Sequence, residues 1–259
     1  MAEVDFEKIL VSDFFKFVVG VENQVFYLHS ALVALQSEAL DVLVNGGMRE
    51  AQERCVQWAS IDVPTFIRFG QFIYREDYEA PPHKSRNNSY LSADFIQTSR
   101  VTKGKKGIRS IVPYAPPPTN GLLWDEFRSL YPDASLTIVR QNEANDDYTD
   151  VFLGHAQVYV FAECYGVEGL QTLSLGKLRR VLESFALFKT GIKDVVRLIR
   201  YCYDNTAGGT NEDRLRRLVT MYTACNVETL WEDEEFADLI ETNGEFAKGL
   251  VRSMLGRLN

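Results

Sequence analysis

The sequence predicts an α+β fold: a small β-sheet early in the chain, capped by a helical cluster and followed by a helical extension. Two observations carry this. The first third alternates short extended runs with short helical ones, in the order strand, strand, helix, helix, strand, helix. From residue 148 onward every apolar pattern has the helical period, and no run of strands returns. No internal repeat interrupts either part.

The elements follow in order. Phe15, Phe17 and Val19 fall on one face of an extended run, and Val25, Phe26 or Tyr27, and Leu28 continue it after Gly20-Val21-Glu22-Asn23, which predicts a hairpin. Ser30 is placed to cap a helix through Leu32 and Leu35. Ser37 is placed to cap a second through Leu40 and Leu43, ended by Asn45-Gly46-Gly47. Residues 54–61 suit a third strand. Asp62-Val63-Pro64 then opens a helix on which Phe66, Phe69 and Ile73 share a face. Residues 79–147 differ in texture. Pro81-Pro82-His83-Lys84-Ser85-Arg86-Asn87-Asn88-Ser89 and Pro116-Pro117-Pro118-Thr119-Asn120-Gly121 punctuate them, so a long flexible insertion is expected, with 122–131 apolar enough to dock as a short helix. Beyond it, Val151, His155, Val158 and Ala162 form one stripe, stopped by Tyr165-Gly166. Leu170, Leu173, Leu178, Leu182 and Phe185 form the next, followed by Ile192, Val195, Ile199 and Cys202. Two or three more helices carry Leu215, Leu218 and Tyr222, then 236–240, then 246–258.

Composition narrows the function. At 259 residues, 46% hydrophobic and 25% charged, the chain has the profile of a globular protein, and wholesale disorder or coiled coil is unlike it. The net charge of −8 disfavours broad phosphate-backbone binding. It is unevenly spread: 1–78 carries 6 Lys/Arg against 12 Asp/Glu, 79–147 carries 9 against 8, and 148–259 carries 13 against 16. Met1-Ala2-Glu3-Val4-Asp5 lacks the cationic start and apolar core of a signal peptide, and the apolar runs are too short to span a bilayer. With Cys55, Cys164, Cys202 and Cys225 scattered, a reducing cytoplasmic or nuclear compartment is expected, without membrane attachment.

Catalytic signatures are sparse. No Gly-x-Ser-x-Gly elbow occurs, and none of Asn45-Gly46-Gly47, Gly104-Lys105-Lys106-Gly107 or Ala207-Gly208-Gly209-Thr210 has phosphate-loop spacing. His29, His83 and His155, without paired cysteines, do not make a zinc pattern, so no cofactor, metal site or enzyme activity is expected. His29 reads as a half-buried imidazole bridging the strand end and the helix start, and His155 as packed in its helical stripe. Asp146-Asp147 and Glu232-Asp233-Glu234-Glu235 read as solvated faces or helix caps. The cluster Lys103, Lys105, Lys106 and Arg109 leaves a nuclear-import or nucleic-acid patch open as an alternative.

Several segments together resemble the BTB (POZ) family. They are Ser12-Asp13-Phe14-Phe15-Lys16-Phe17-Val18-Val19-Gly20, then His29 with Leu32 three after it, Ser37 eight after it and Leu40 three later, then Gly47-Met48-Arg49-Glu50. The end Phe72-Ile73-Tyr74-Arg75-Glu76-Asp77-Tyr78 is similar to the close of that family's third helix. Residues 158–173, with Ala162-Glu163-Cys164-Tyr165-Gly166-Val167-Glu168-Gly169-Leu170, resemble its penultimate helix and the turn into the last. In flavour, 151–163 and 198–206 resemble the short fungal BTB proteins. The resemblance spans 1–78 and 148–185 as the BTB domain, with 79–147 as an insertion and 186–259 as a weaker, BACK-like helical extension.

The resemblance implies a protein-binding scaffold rather than a catalyst, with His29 and Ser37 as structural residues. It implies a two-fold homodimer through the first strand and first helix, with Phe6, Ile9, Phe14, Phe15, Leu32 and Leu35 as interface candidates, of which Phe15, Leu32 and Leu35 read better as core. Some relatives recruit a cullin ubiquitin-ligase scaffold through an apolar-x-Glu motif, which Met48-Arg49-Glu50 matches, so Met48 and Glu50 are candidate contacts. Protein partners are therefore expected: a second copy, and a cullin for which the chain acts as substrate adaptor. The alternative is a corepressor-recruiting scaffold in the nucleus, entering through its basic run and binding no nucleic acid directly.

Overall fold

A computed structural model describes residues 6–86, 121–131, 141–208 and 213–255. The fold is α+β. A six-residue helix, α1 (Phe6–Val11), leads into β1 (Phe14–Val19), which pairs antiparallel with β2 (Gln24–His29), Phe14 opposite His29 and Val19 opposite Gln24. Gly20 adopts φ 74° at the hairpin turn, a left-handed conformation that glycine holds without a Cβ clash. The chain then crosses over through α2 (Ser30–Ala34), α3 (Glu38–Asn45) and α4 (Arg49–Glu53) and returns as β3 (Cys55–Trp58), parallel to β1. The sheet order is β2-β1-β3.

Alternation in β1 sends Phe15, Phe17 and Val19 inward, where all three are buried. They meet α5 (Val63–Arg75), started by Asp62, whose carboxylate accepts the Thr65 N–H at 2.9 Å. Phe66, Phe69 and Ile73 are its buried face. The Phe17 ring packs against Trp58 and Phe66 at 5.0 and 5.1 Å between centroids. Ser30 does not cap α2. His29 occupies the cap position without a side-chain bond, because the helix begins directly from the last residue of β2.

In the second half, α7 (Thr149–Cys164), α8 (Glu168–Ser184), α9 (Ile192–Asn205), α10 (Arg214–Cys225), α11 (Val227–Leu230), α12 (Glu234–Thr242) and α13 (Gly244–Leu255) pack together. They are joined by α6 (Gly121–Ser129), which docks through Leu123 and Phe127. Gly176 lies buried within α8. α7 is buried nearly all round and belongs to two interiors. Val158, Phe161 and Ala162 pack with the sheet and α5, while Val151, Phe152, Ala156 and Tyr159 pack with the helices. Segments 15–73 and 151–182 thus share an interior. Ser37 adds a bond between them: its hydroxyl caps α3 at Leu40 N–H and donates to the Tyr165 carbonyl at 2.6 Å.

The ends of the 79–147 stretch are pinned. β4 (Lys84–Ser85) pairs antiparallel with β5 (Asp146–Asp147). Arg86 forms an ion pair with the fully buried Asp194 of α9, which also accepts the Tyr148 N–H and the Thr149 hydroxyl. Gly154 is required where this segment crosses α7, since a Cβ there lies 2.3 Å from Pro81 Cγ. Described residues of the stretch are thus tied to the helices; the remainder, including Lys103, Lys105, Lys106 and Arg109, lies outside the described residues. The expected acidic faces are caps and ion pairs: Asp233 caps α12, while Glu232 meets Lys189 and Glu235 meets Lys193. Among the described residues no helix is long and apolar enough to cross a membrane.

Candidate protein-interaction surface

The N-terminal helix shows how the candidate face arises. Six residues form fewer than two turns, and such a helix buries little. Ile9 takes the inward position and is 5% exposed, so it belongs to the core and leaves the set of interface candidates. Phe6, Leu10 and Val11 stay outside, at 67%, 62% and 77% exposure. Ser12 ends the turn by donating its hydroxyl to the Ile9 carbonyl at 2.8 Å. Phe14 opens β1 on the outward side of the alternation, its ring 4.5 Å from that of His29. Leu35 completes this region. Expected in the core, it is 54% exposed because α2 ends at Ala34 and Leu35 turns out as its cap. Phe15 and Leu32 are buried, as expected of them. Since α1 packs on α2 and runs straight into β1, these exposed apolar groups occupy neighbouring elements. Clustered exposed apolar groups mark contact surfaces more reliably than scattered ones.

Met48 is exposed at the start of α4, and Glu50 sits half-buried in that helix's first turn, beside the exposed Arg49–Glu53 ion pair at 3.7 Å. A flexible thioether beside a carboxylate suits an apolar contact flanked by a cation. The motif residues thus stand together at one helix start, while Phe6 and Phe14 stand at the α1–β1 junction.

The histidines are held by tyrosines. His29 Nδ1 lies 2.8 Å from the Tyr74 hydroxyl on α5, which also accepts the His29 N–H at 3.3 Å. Its bridge is therefore to α5 rather than to the start of α2. His155 is buried, with Nδ1 2.7 Å from the Tyr78 hydroxyl. Burial, reinforced by the Lys177 and Arg68 cations, pushes its pKa down to about 3, so the ring is neutral at ordinary pH. Elsewhere Tyr159 donates to Asp213 at 2.8 Å, and burial together with that carboxylate raises the phenol well above its usual range. Burial and Asp213 also raise Glu163. Cys202 is buried, which pushes its thiol up and leaves it unreactive. Among the described residues, no three or more His, Cys, Asp or Glu side chains gather as metal ligands do.

Leu10 and Val11 were not singled out as contact residues by sequence, and Leu35, one of the interface candidates, was read there as core. The available signal was the adjacent pair Leu10-Val11 in a helix too short to bury both. No known family model matches the chain, and no curated protein is significantly similar to it.

Proposed function

We propose that residues 6–78, with α7 and α8, form a BTB (POZ)-type protein-interaction module that pairs with a second copy, and that the chain serves as an adaptor for a cullin ubiquitin ligase. The observation that carries the reading is the outward apolar set Phe6, Leu10, Val11, Phe14 and Leu35 on α1, β1 and α2. Water-exposed aromatic and branched side chains on adjoining elements are what a self-complementary interface covers. Support for the family comes from a hairpin, a helical crossover and a parallel third strand packed on α5 and α7, tied by Ser37 to the end of α7. Support for the adaptor role is narrower: Met48 is exposed at a helix start with Glu50 two residues on.

Light scattering after gel filtration tests the first part. The wild-type chain is expected at twice its monomer mass at micromolar concentration, and Phe6→Asp with Phe14→Asp is expected to weaken the dimer at least tenfold. Ile9→Asp, by contrast, is expected to unfold the chain because that residue is core. A monomeric wild type overturns the pairing. Affinity purification tests the second part: a cullin is expected to co-purify with wild type and to be lost on Met48→Asp or Glu50→Lys. Retention by both variants removes these residues from the account.

A further inference from the structure

Among the helices of the second half, α6 is the one that comes from the 79–147 stretch. In sequence it stands thirty-four residues, 87–120, after Arg86 and eleven, 130–140, before Gln141. Its nine residues are fewer than an isolated helix needs to persist in water, so its helical form depends on what it rests against. It rests on α8 and α10. Leu123 and Phe127, four apart, point into the helical interior with Leu130 just beyond, and Trp124 stacks on Phe127 at 5.1 Å. Beneath them the Tyr222 ring of α10 lies 5.7 Å from Phe127 and 6.3 Å from Trp124. The rims are charge-matched. Arg128 meets Glu183 of α8 at 3.1 Å, and Glu126 meets Arg217 of α10 at 3.8 Å. Both pairs are partly solvent-exposed, and pairs of that kind hold weakly. The Tyr222 hydroxyl is buried and has no hydrogen-bond partner among the described residues, so the resident helix leaves one polar group unmet.

We propose that the face formed by α8 and α10 is a helix-docking groove, that α6 is its resident occupant, and that a partner protein's amphipathic helix competes for it. The partner helix carries two large apolar side chains four residues apart, an aromatic beside the second turn, an anion to face Arg217 and a cation to face Glu183. It also offers an acceptor to the Tyr222 hydroxyl, which α6 does not. This is helix-in-groove recognition, with a segment of the chain itself as competitor. A tethered occupant works at high effective concentration, so the partner succeeds only where it binds the groove more tightly than α6 does. The proposal concerns the helical half and stands whether or not the N-terminal half pairs with a second copy.

The test uses the full chain and a labelled synthetic peptide spanning 121–131. Phe127→Asp in the chain is expected to vacate the groove, so that the peptide binds this variant at least tenfold more tightly than it binds wild type. A peptide carrying Phe127→Ala is expected to lose at least tenfold. Equal or absent binding, with the variant's circular dichroism and elution volume unchanged, overturns the proposal. Hydrogen exchange on the wild type decides the matter if the variant does not fold. Amides of α6 are expected to exchange at least tenfold faster than those of α8 and α10, and faster still with excess peptide. Exchange in step with α8 and α10 shows α6 to be ordinary core and overturns it. Dimers of the wild type that Phe127→Asp abolishes, with no peptide binding, put a second copy's α6 in the groove and overturn the assignment to a foreign helix.

Discussion

His155 binds one neighbour, the Tyr78 hydroxyl, and its Nε2 has no hydrogen-bond partner among the described residues. Protonating that ring places a charge in a buried site already flanked by the Lys177 and Arg68 cations, which is why burial holds its pKa near 3 rather than the ordinary 6.5. The folded value lies below the unfolded one, so between these limits the unfolded chain binds the proton and the folded chain does not. Stability is therefore complete above about pH 7 and is lost as pH falls toward 3. For one such group the loss from pH 7 to pH 5 is about 2 kcal/mol. Urea midpoints of wild type and His155→Gln across that range check it. The variant is expected to be the less stable at pH 7 yet to have the flatter profile, and parallel profiles would show that His155 does not titrate on unfolding. Its packed character was legible from the apolar stripe of α7. Its partner was not, because Tyr78 lies seventy-seven positions away and only the fold brings them together.

At the scale of elements, legibility followed from local chemistry. The caps Ser37 and Asp62 are each three residues before the N–H they accept, and both helices begin where that spacing places them. Ser30 misled because the same residue type can follow a strand without a turn, leaving its neighbour His29 in the cap position. α4 and α11 span five and four residues, too few to show a stripe. The docking of 122–131 as a helix was visible in its apolar content, but its resting place against α8 and α10 was not. Likewise Leu35 looked like core because the stripe of α2 was extended one residue past the true helix end. Ser37 serves two elements at once, since its hydroxyl caps α3 and holds the Tyr165 carbonyl at the end of α7. Ser37→Ala is thus expected to cost about 1–2 kcal/mol, more than the cap-only loss in Asp62→Ala of about 1 kcal/mol. Urea denaturation measures both. Equal losses would mean that the bond to Tyr165 adds nothing.

At the scale of the whole molecule, α7 decides whether the chain behaves as one unit or two. Its first half lines the helical interior through Phe152, and its second half lines the sheet interior through Phe161, which packs at 5.0 Å from Phe69 and 5.6 Å from Trp58. A single helix cannot keep one half packed while the other melts without exposing apolar surface at the boundary, so the two interiors are coupled through it. Phe152→Ala and Phe161→Ala each remove a ring that is essentially buried, and each is expected to cost about 3–5 kcal/mol. Because the interiors are coupled, both are expected to lower one shared transition rather than two. Trp58 reports on the sheet side in a chain where Trp124 and Trp231 are replaced by Phe, and far-ultraviolet circular dichroism reports mainly on the helices. Coincident urea transitions from the two probes, shifted alike by either substitution, are the expected outcome. Transitions that separate, with Phe161→Ala moving only the Trp58 signal, would show that the sheet and the helical cluster fold independently and that α7 joins them without coupling them.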